Sequence, residues 1–227
     1  MLLRAIILMA GLISLSVLAE EEQEAPYAAV YSYARIYDLV SQFDDLQSDR
    51  RDRLSFHVRL RPRFEEGLLT ELSAYILRGE GQIPIEIDAN GIVIMPMSPV
   101  LRGEDVLIVT NQEEGSLQLG LAIVVERPSS RRFAYADVAE AVEQINYAMR
   151  AKARVDPNVV PQANGLTFKF NPGEAVQLTV DSASGQLQLN ANENGSINLP
   201  YDESLLEENP RVSISSTPII VYPWFGR

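Results

Sequence analysis

The chain has no cysteine, a single histidine and a single tryptophan. Without cysteine there are no disulfide staples, so stability must come from ordinary hydrophobic cores, which units of about ninety residues can supply. With His57 as the sole imidazole, a Ser-His-Asp triad would have to use it, and no Gly-x-Ser-x-Gly turn presents a nucleophile. A zinc site built on His57 and no cysteine would need several carboxylates, a poor match to zinc's preferences. Glycine-rich phosphate loops, an HExxH pair and a dinucleotide fingerprint are missing as well. No cofactor and no metal are expected.

Long apolar runs are missing too, with one exception at the start. Met1 to Ala19 has Arg4 as its positive end, an apolar core from Ala5 to Leu18, and a small-residue cleavage site at Val17-Leu18-Ala19. Such a core is too short for a mature membrane span and reads as a secretory signal. No cysteine follows it to take a lipid. The mature chain is expected to begin at Glu20, to be periplasmic or secreted, and to have no transmembrane segment after cleavage. Basic residues are outnumbered, 19 against 31 acidic, for a net charge of −12. Loss of the signal removes only Arg4 and makes the balance more negative. Polyanions such as nucleic acid and anionic membranes are disfavoured as bulk partners.

What the chain does have is a repeat. Gly81-Gln82-Ile83-Pro84-Ile85 is echoed by Gly185-Gln186-Leu187-Gln188-Leu189. Asn90-Gly91 and Pro96 are echoed by Asn194-Gly195 and Pro200, and Leu101 and Glu104 by Leu205 and Glu208. Each unit begins with a helix, expected over 28–46 and 136–153, whose apolar residues fall three and four apart: Tyr33, Ile36, Val40 and Phe43, then Val138, Val142, Ile145 and Met149. Afterwards the period drops to two. Phe56, Val58 and Leu60 alternate with Ser55, His57, Arg59 and Arg61, as Leu166, Phe168 and Phe170 do with Thr167, Lys169 and Asn171. Clean alternation is antiparallel sheet behaviour with one buried face and one wet face. Asn90-Gly91 and Asn194-Gly195 are expected as tight turns with both residues at positive φ. Ser98 and Asp202 then cap one or two helical turns. The expected fold is α+β: a signal over 1–19, then two tandem repeats over 20–128 and 129–227, each one helix followed by a small antiparallel β-sandwich-like unit.

Asn194 to Pro200 followed by Leu205 to Pro210, Asn-Gly-x-Ile-x-Leu-Pro then Leu-Leu-Glu-Glu-Asn-Pro, resembles a phrase of an exported gammaproteobacterial repeat family of unknown function. That resemblance covers most of the mature chain and implies no activity. The hairpin is also loosely similar to prealbumin-like and carboxypeptidase-regulatory sandwiches, which carries over architecture only.

Among candidate sites, the stripe His57, Arg59 and Arg61 is the ligand-binding choice. Guanidiniums two apart on a strand project from one face and can grip phosphate, sulfate or uronate groups bidentately. Arg50, Arg51 and Arg53 lie just upstream, and Asp49, Asp52, Glu65, Glu66 and Glu71 are near enough in sequence to neutralise the stripe. Asp88, Asn90, Glu104 and Asp105, echoed by Asn192, Asn194, Glu208 and Asn209, carry calcium-type oxygens without EF-hand spacing. The same acids would supply a glycosidase pair. Tyr27 and Tyr31 form their own four-residue pair on the first helix, expected to pack onto the sheet or the other unit, with an exposed pair that stacks on a sugar or protein as the alternative, and Tyr222 to Phe225 are expected to close the last strand. The missing catalytic motifs favour a non-enzymatic exported (periplasmic) binding or assembly module, with an envelope protein or an anionic glycan as partner class. The alternatives are a carboxylate-dependent hydrolase acting on an envelope glycan or peptide, and a purely structural spacer.

Overall fold

The computed structural model describes residues 29–63, 72–153, 156 and 159–226. The chain is α+β, with four α-helices and strands that pair antiparallel throughout the described residues. In chain order the first half runs β1 (Ala29–Ser32), α1 (Tyr33–Ser41), β2 (Leu54–Pro62), β3 (Ala74–Arg78), β4 (Gly81–Ile87), β5 (Ile92–Ile94), α2 (Pro99–Gly103), β6 (Leu107–Thr110) and β7 (Leu117–Val125). The second half runs β8 (Arg132–Ala134), α3 (Tyr135–Lys152), β9 (Gly165–Lys169), β10 (Gln177–Ser182), β11 (Gly185–Asn190), β12 (Ser196–Pro200), α4 (Glu203–Glu208), β13 (Arg211–Ile214) and β14 (Ile220–Trp224). The expected signal segment and Tyr27 lie outside the described residues.

Strands pair in the order β1-β6-β3-β4-β5-β2-β7-β14-β9-β12, with β11-β10-β13-β8 as a separate sheet. Three joints in the long sheet are slight. β4 with β5 and β5 with β2 share two residue pairs each, and β7 and β14 share one, Val125 with Val221. Between them the β2–β7 pairing is long, nine residue pairs from Leu54–Val125 to Pro62–Leu117. That ladder is the longest among the described residues.

Two hydrophobic cores hold the elements together. Tyr135, Val138, Val142 and Ile145 of α3 share one with Leu166 and Phe168 of β9, and with Phe56, Ile123 and Val125 from the first half. The second gathers Tyr33 and Ile36 of α1 with Val58, Leu60, Ile76, Val93 and Ile108. The first core therefore crosses the expected boundary near residue 128. Burying a side chain of the size of Phe168 or Ile145 contributes about 1.5–3 kcal/mol, so the halves are held to each other by a shared core as well as by β14.

Local sequence explains the helices. Ser98 and Asp202 cap α2 and α4 by accepting from the N–H groups of Leu101 (3.4 Å) and Ser204 (2.8 Å), and Pro99 opens α2. At α3 the capping position is Ala134, which has no side-chain acceptor. Asp137 instead accepts from the Ala134 N–H at 3.2 Å, and Asn209 accepts from the Ala136 N–H at 2.9 Å. The first helix is shorter than its periodicity predicts. Residues Ala29–Ser32 form β1, with Val30 opposite Val109 and Tyr31 opposite Ile108. Tyr31 is thus half-buried against the sheet, but on a strand and not on the helix where its spacing had placed it.

The Asn-Gly turns also differ from expectation. Gly91 and Gly195 have φ of 77° and 69°, but the non-glycine residues with positive φ among those described are Asp105 and Asn209. Each turn closes one residue earlier, with the Gly91 N–H donating to the Asp88 carbonyl at 2.9 Å and the Gly195 N–H to the Asn192 carbonyl at 2.8 Å. Asp88 and Asn192 hold the loop with their side chains, accepting from Asn90 and Ile92 and from Asn194 and Ser196. Glycine alone takes the left-handed position that ends the turn. A Cβ at Gly195 would lie 2.6 Å from the Phe170 carbonyl oxygen.

Candidate functional site

Pleating sorts the central sheet into two faces. Phe56, Val58, Leu60, Ile123, Val125, Leu166, Phe168 and Val221 all join the cores. The opposite face carries His57, Arg59 and Arg61 on β2, Gly120 and Ala122 on β7, Tyr222 on β14, and Thr167 and Lys169 on β9, by the registers Arg59–Gly120, His57–Ala122 and Tyr222–Thr167. Glycine and alanine in the middle strand leave a low floor between the arginines and Tyr222.

The five arginines from Arg50 to Arg61 separate in space. Arg50 lies over the Tyr147 ring at 4.6 Å, Arg51 pairs with Asp44, and Arg53 pairs with Asp137 (2.8 Å) and Glu140 (2.5 Å) on α3. These three fasten the first half to the helix or to their own loop. Arg59 and Arg61 have no carboxylate within ion-pairing distance among the described residues. Asp52 accepts from Gln144 on α3 at 2.5 Å, while Glu65, Glu66 and Glu71 lie outside the described residues.

Arg59 is half-buried and its Nε donates to the Asn90 carbonyl at 2.7 Å, bracing the Asp88–Gly91 turn. Lys169 does the same for the other turn, donating through Nζ to the Asn194 carbonyl. Burial pushes the Arg59 pKa down, the Arg61 charge adds to the fall, and Tyr222 and Asp88 oppose it. Burial, then the charge of Arg59, lowers Lys169 as well. Arg59 therefore lies within electrostatic reach of both Arg61 and Lys169. His57 is half-buried, and burial holds its imidazole below 6.5 against a smaller opposing pull from Asp88.

The acidic positions weighed as calcium or glycosidase candidates are engaged elsewhere. Glu104 grips Arg78 with two bonds of 2.7 Å. Asp105 and Asn209 occupy the left-handed position after α2 and α4, at φ 52° and 46°. Glu208 accepts from the Ala183 N–H at 2.8 Å. No group of three or more His, Cys, Asp or Glu suited to a metal occurs among the described residues.

A cavity of ≈ 310 Å³ opens beside the arginines. Its lining combines the polar Arg59, Arg61 and Tyr222 with the apolar Leu121, Met149 and Phe225. Sequence reasoning placed Tyr222 and Phe225 in a hydrophobic closure. Instead Tyr222 is half-exposed on the outer face and Phe225 is 45% exposed. The alternation of β14 held the signal for Tyr222, but only the sheet order brings it near Arg59. Comparison with protein families, with curated proteins and with solved structures gave no match.

Proposed function

We propose that the chain is an exported, non-enzymatic binding module that takes an anionic ligand on the outer face of its central sheet. The observation that carries this is the pair Arg59 and Arg61, without a carboxylate partner among the described residues and joined there by Lys169. Gathering like charges costs energy, and a bound carboxylate, phosphate or sulfate would offset it through charge-assisted hydrogen bonds. Tyr222 beside them offers a ring and a hydroxyl to the same ligand. Engagement of Asp88, Glu104 and Asp105 in turns, an ion pair and a cap supports binding over hydrolysis.

The scaffold, on this reading, is one helix-plus-β sandwich-like unit used twice, with its boundary near residue 128. Support comes from equivalent hydrogen bonds. Tyr33 and Tyr135 each donate to a proline carbonyl, Pro96 and Pro200, and each accepts from the N–H two residues on, Ser98 and Asp202. Pairing order agrees as well: β1-β6-β3-β4 corresponds to β8-β13-β10-β11. The Met1–Ala19 pattern supports export, and the resemblance to an exported gammaproteobacterial repeat family points to the same compartment. An anionic glycan or an acidic envelope protein fits the site chemistry.

Retention on sulfated and carboxylated glycan matrices tests the binding claim. Arg61→Gln and the double variant Arg59→Gln/Arg61→Gln should elute at lower salt than the parent, and added salt should weaken all of them. Arg61→Gln leaves the fold alone because its side chain is exposed. Equal elution of parent and both variants at low salt would overturn the reading.

A further inference from the structure

The face of the central sheet that carries the cations is not polar throughout. Residues directly opposite each other in antiparallel strands share a face. The registers therefore set Ile92 beside Arg59, Ala122 beside His57 and Val124 beside Ser55. Ile220 stands opposite Lys169 and Tyr222 opposite Thr167 on that same face. Ile92, Ala122, Val124 and Ile220 each line the ≈ 310 Å³ cavity together with Arg59, Arg61 and Tyr222.

The other half of the chain shows that such a surface is no demand of the fold. Arg59 and Lys169 act alike, each donating to the asparagine carbonyl of its own Asn-Gly turn, Asn90 or Asn194. Opposite Lys169 stands Ser196, whose hydroxyl accepts from Lys169 at 3.3 Å. Thr167 on the same face donates to Asn198 at 2.8 Å. Opposite Arg59 stands Ile92 instead. One half satisfies its cation with polar neighbours, and the other sets it against an apolar side chain. Among the described residues only the Nε of Arg59 is bonded, so its terminal nitrogens remain for a ligand.

We infer that the cavity takes a small amphiphilic anion, with its head on Arg59 and Arg61 and its apolar body against Ala122, Val124 and Ile220. The inference rests on the anion-binding reading and names the ligand class. A bare anion would leave the apolar side chains wet, and an uncharged apolar molecule would leave the guanidiniums unpaired beside it. A molecule with both parts offsets both costs. At ≈ 310 Å³ the cavity lies at the small end of ligand sites, which run from about 300 to 1,000 Å³. The body that fits is a short alkyl chain or a single ring.

The series acetate, butyrate, hexanoate and octanoate, with octyl phosphate and octanol beside it, tests this on the full mature protein at low salt. Affinity is read from NMR shifts at Ala122, Val124, Ile220 and Tyr222. Each added methylene should tighten carboxylate binding about two- to fourfold until the cavity is full, and octanol should bind far more weakly than octanoate or octyl phosphate. Arg61→Gln should weaken every anion by a similar factor. Val124→Thr, which keeps the shape and adds a hydroxyl, should weaken octanoate severalfold and leave acetate nearly unchanged. Both side chains reach solvent, so neither change disturbs the cores. Affinity that does not rise with chain length, or octanol binding as tightly as octanoate, overturns the amphiphile. In either case weaker acetate binding to Arg61→Gln still supports the anion site, and equal binding of every anion to parent and variant overturns that reading too. Failure of both octanoate and octyl phosphate to bind, or shifts centred on the exposed Met97 and Val100, also overturns the amphiphile. The glycan-matrix retention then decides the anion reading by itself.

Discussion

Removing the hydroxyl of Tyr135 should destabilise the protein by about 1–3 kcal/mol, the cost of leaving buried polar groups without partners. The ring is fully buried, and its hydroxyl donates to the Pro200 carbonyl at 2.7 Å and accepts from the Asp202 N–H at 2.8 Å. Tyr135→Phe keeps the ring and its packing, so the loss isolates these two bonds. Tyr33→Phe should lose a similar amount, because Tyr33 is equally buried and makes the equivalent bonds to Pro96 and Ser98. For a domain of this size, about 2 kcal/mol lowers Tm by about 4–8 °C. Urea denaturation followed by circular dichroism gives the free energies, with an unchanged m-value showing that both variants lose the same surface on unfolding. A further arm uses pH. Burial raises the Tyr135 pKa from 10.0 to about 12, so the unfolded chain releases its proton first and stability should fall as pH rises between those values. Tyr135→Phe should flatten that fall. Both variants lying within about 0.5 kcal/mol of the parent would refute the claim that these hydroxyls tie helix to turn.

Three other outcomes are expected. Gly195→Val should cost about 2 kcal/mol or more, because it adds backbone strain at φ 69° and a Cβ 2.6 Å from the Phe170 carbonyl oxygen; an unchanged thermal melt would contradict the turn geometry. Gln144→Ala should cost about 1–3 kcal/mol, since the 6% exposed Gln144 accepts from the Arg53 N–H at 3.1 Å and donates to Asp52, and denaturation reads this directly. Asp88→Asn should leave stability nearly unchanged, as Asn192 holds the corresponding turn, while the His57 pKa falls further on losing the opposing charge; proton NMR titration would show no fall if Asp88 does not face His57.

The turn and capping positions were legible because they are local. Ser98, Pro99 and Asp202 determine helix starts within a few residues, and the β2 and β9 alternation marks which side chains face the core. β1 and β8 were harder to read, since strands of three or four residues run straight into helices and their neighbouring tyrosines fit helical spacing. Arg50 to Arg61 look like one basic run in sequence. Their division depends on Asp137, Glu140 and Tyr147 of α3, far along the chain, so no local pattern could reveal it.

The most direct test of the outer-face site is residue-resolved NMR of the mature protein titrated with a short polyaspartate at low salt. Shifts should concentrate at Arg59, Arg61, Ala122, Tyr222 and Lys169 and should shrink in Arg61→Gln. Shifts centred instead on Arg127, Arg131 and Arg132, or spread over every exposed cation, would contradict the site.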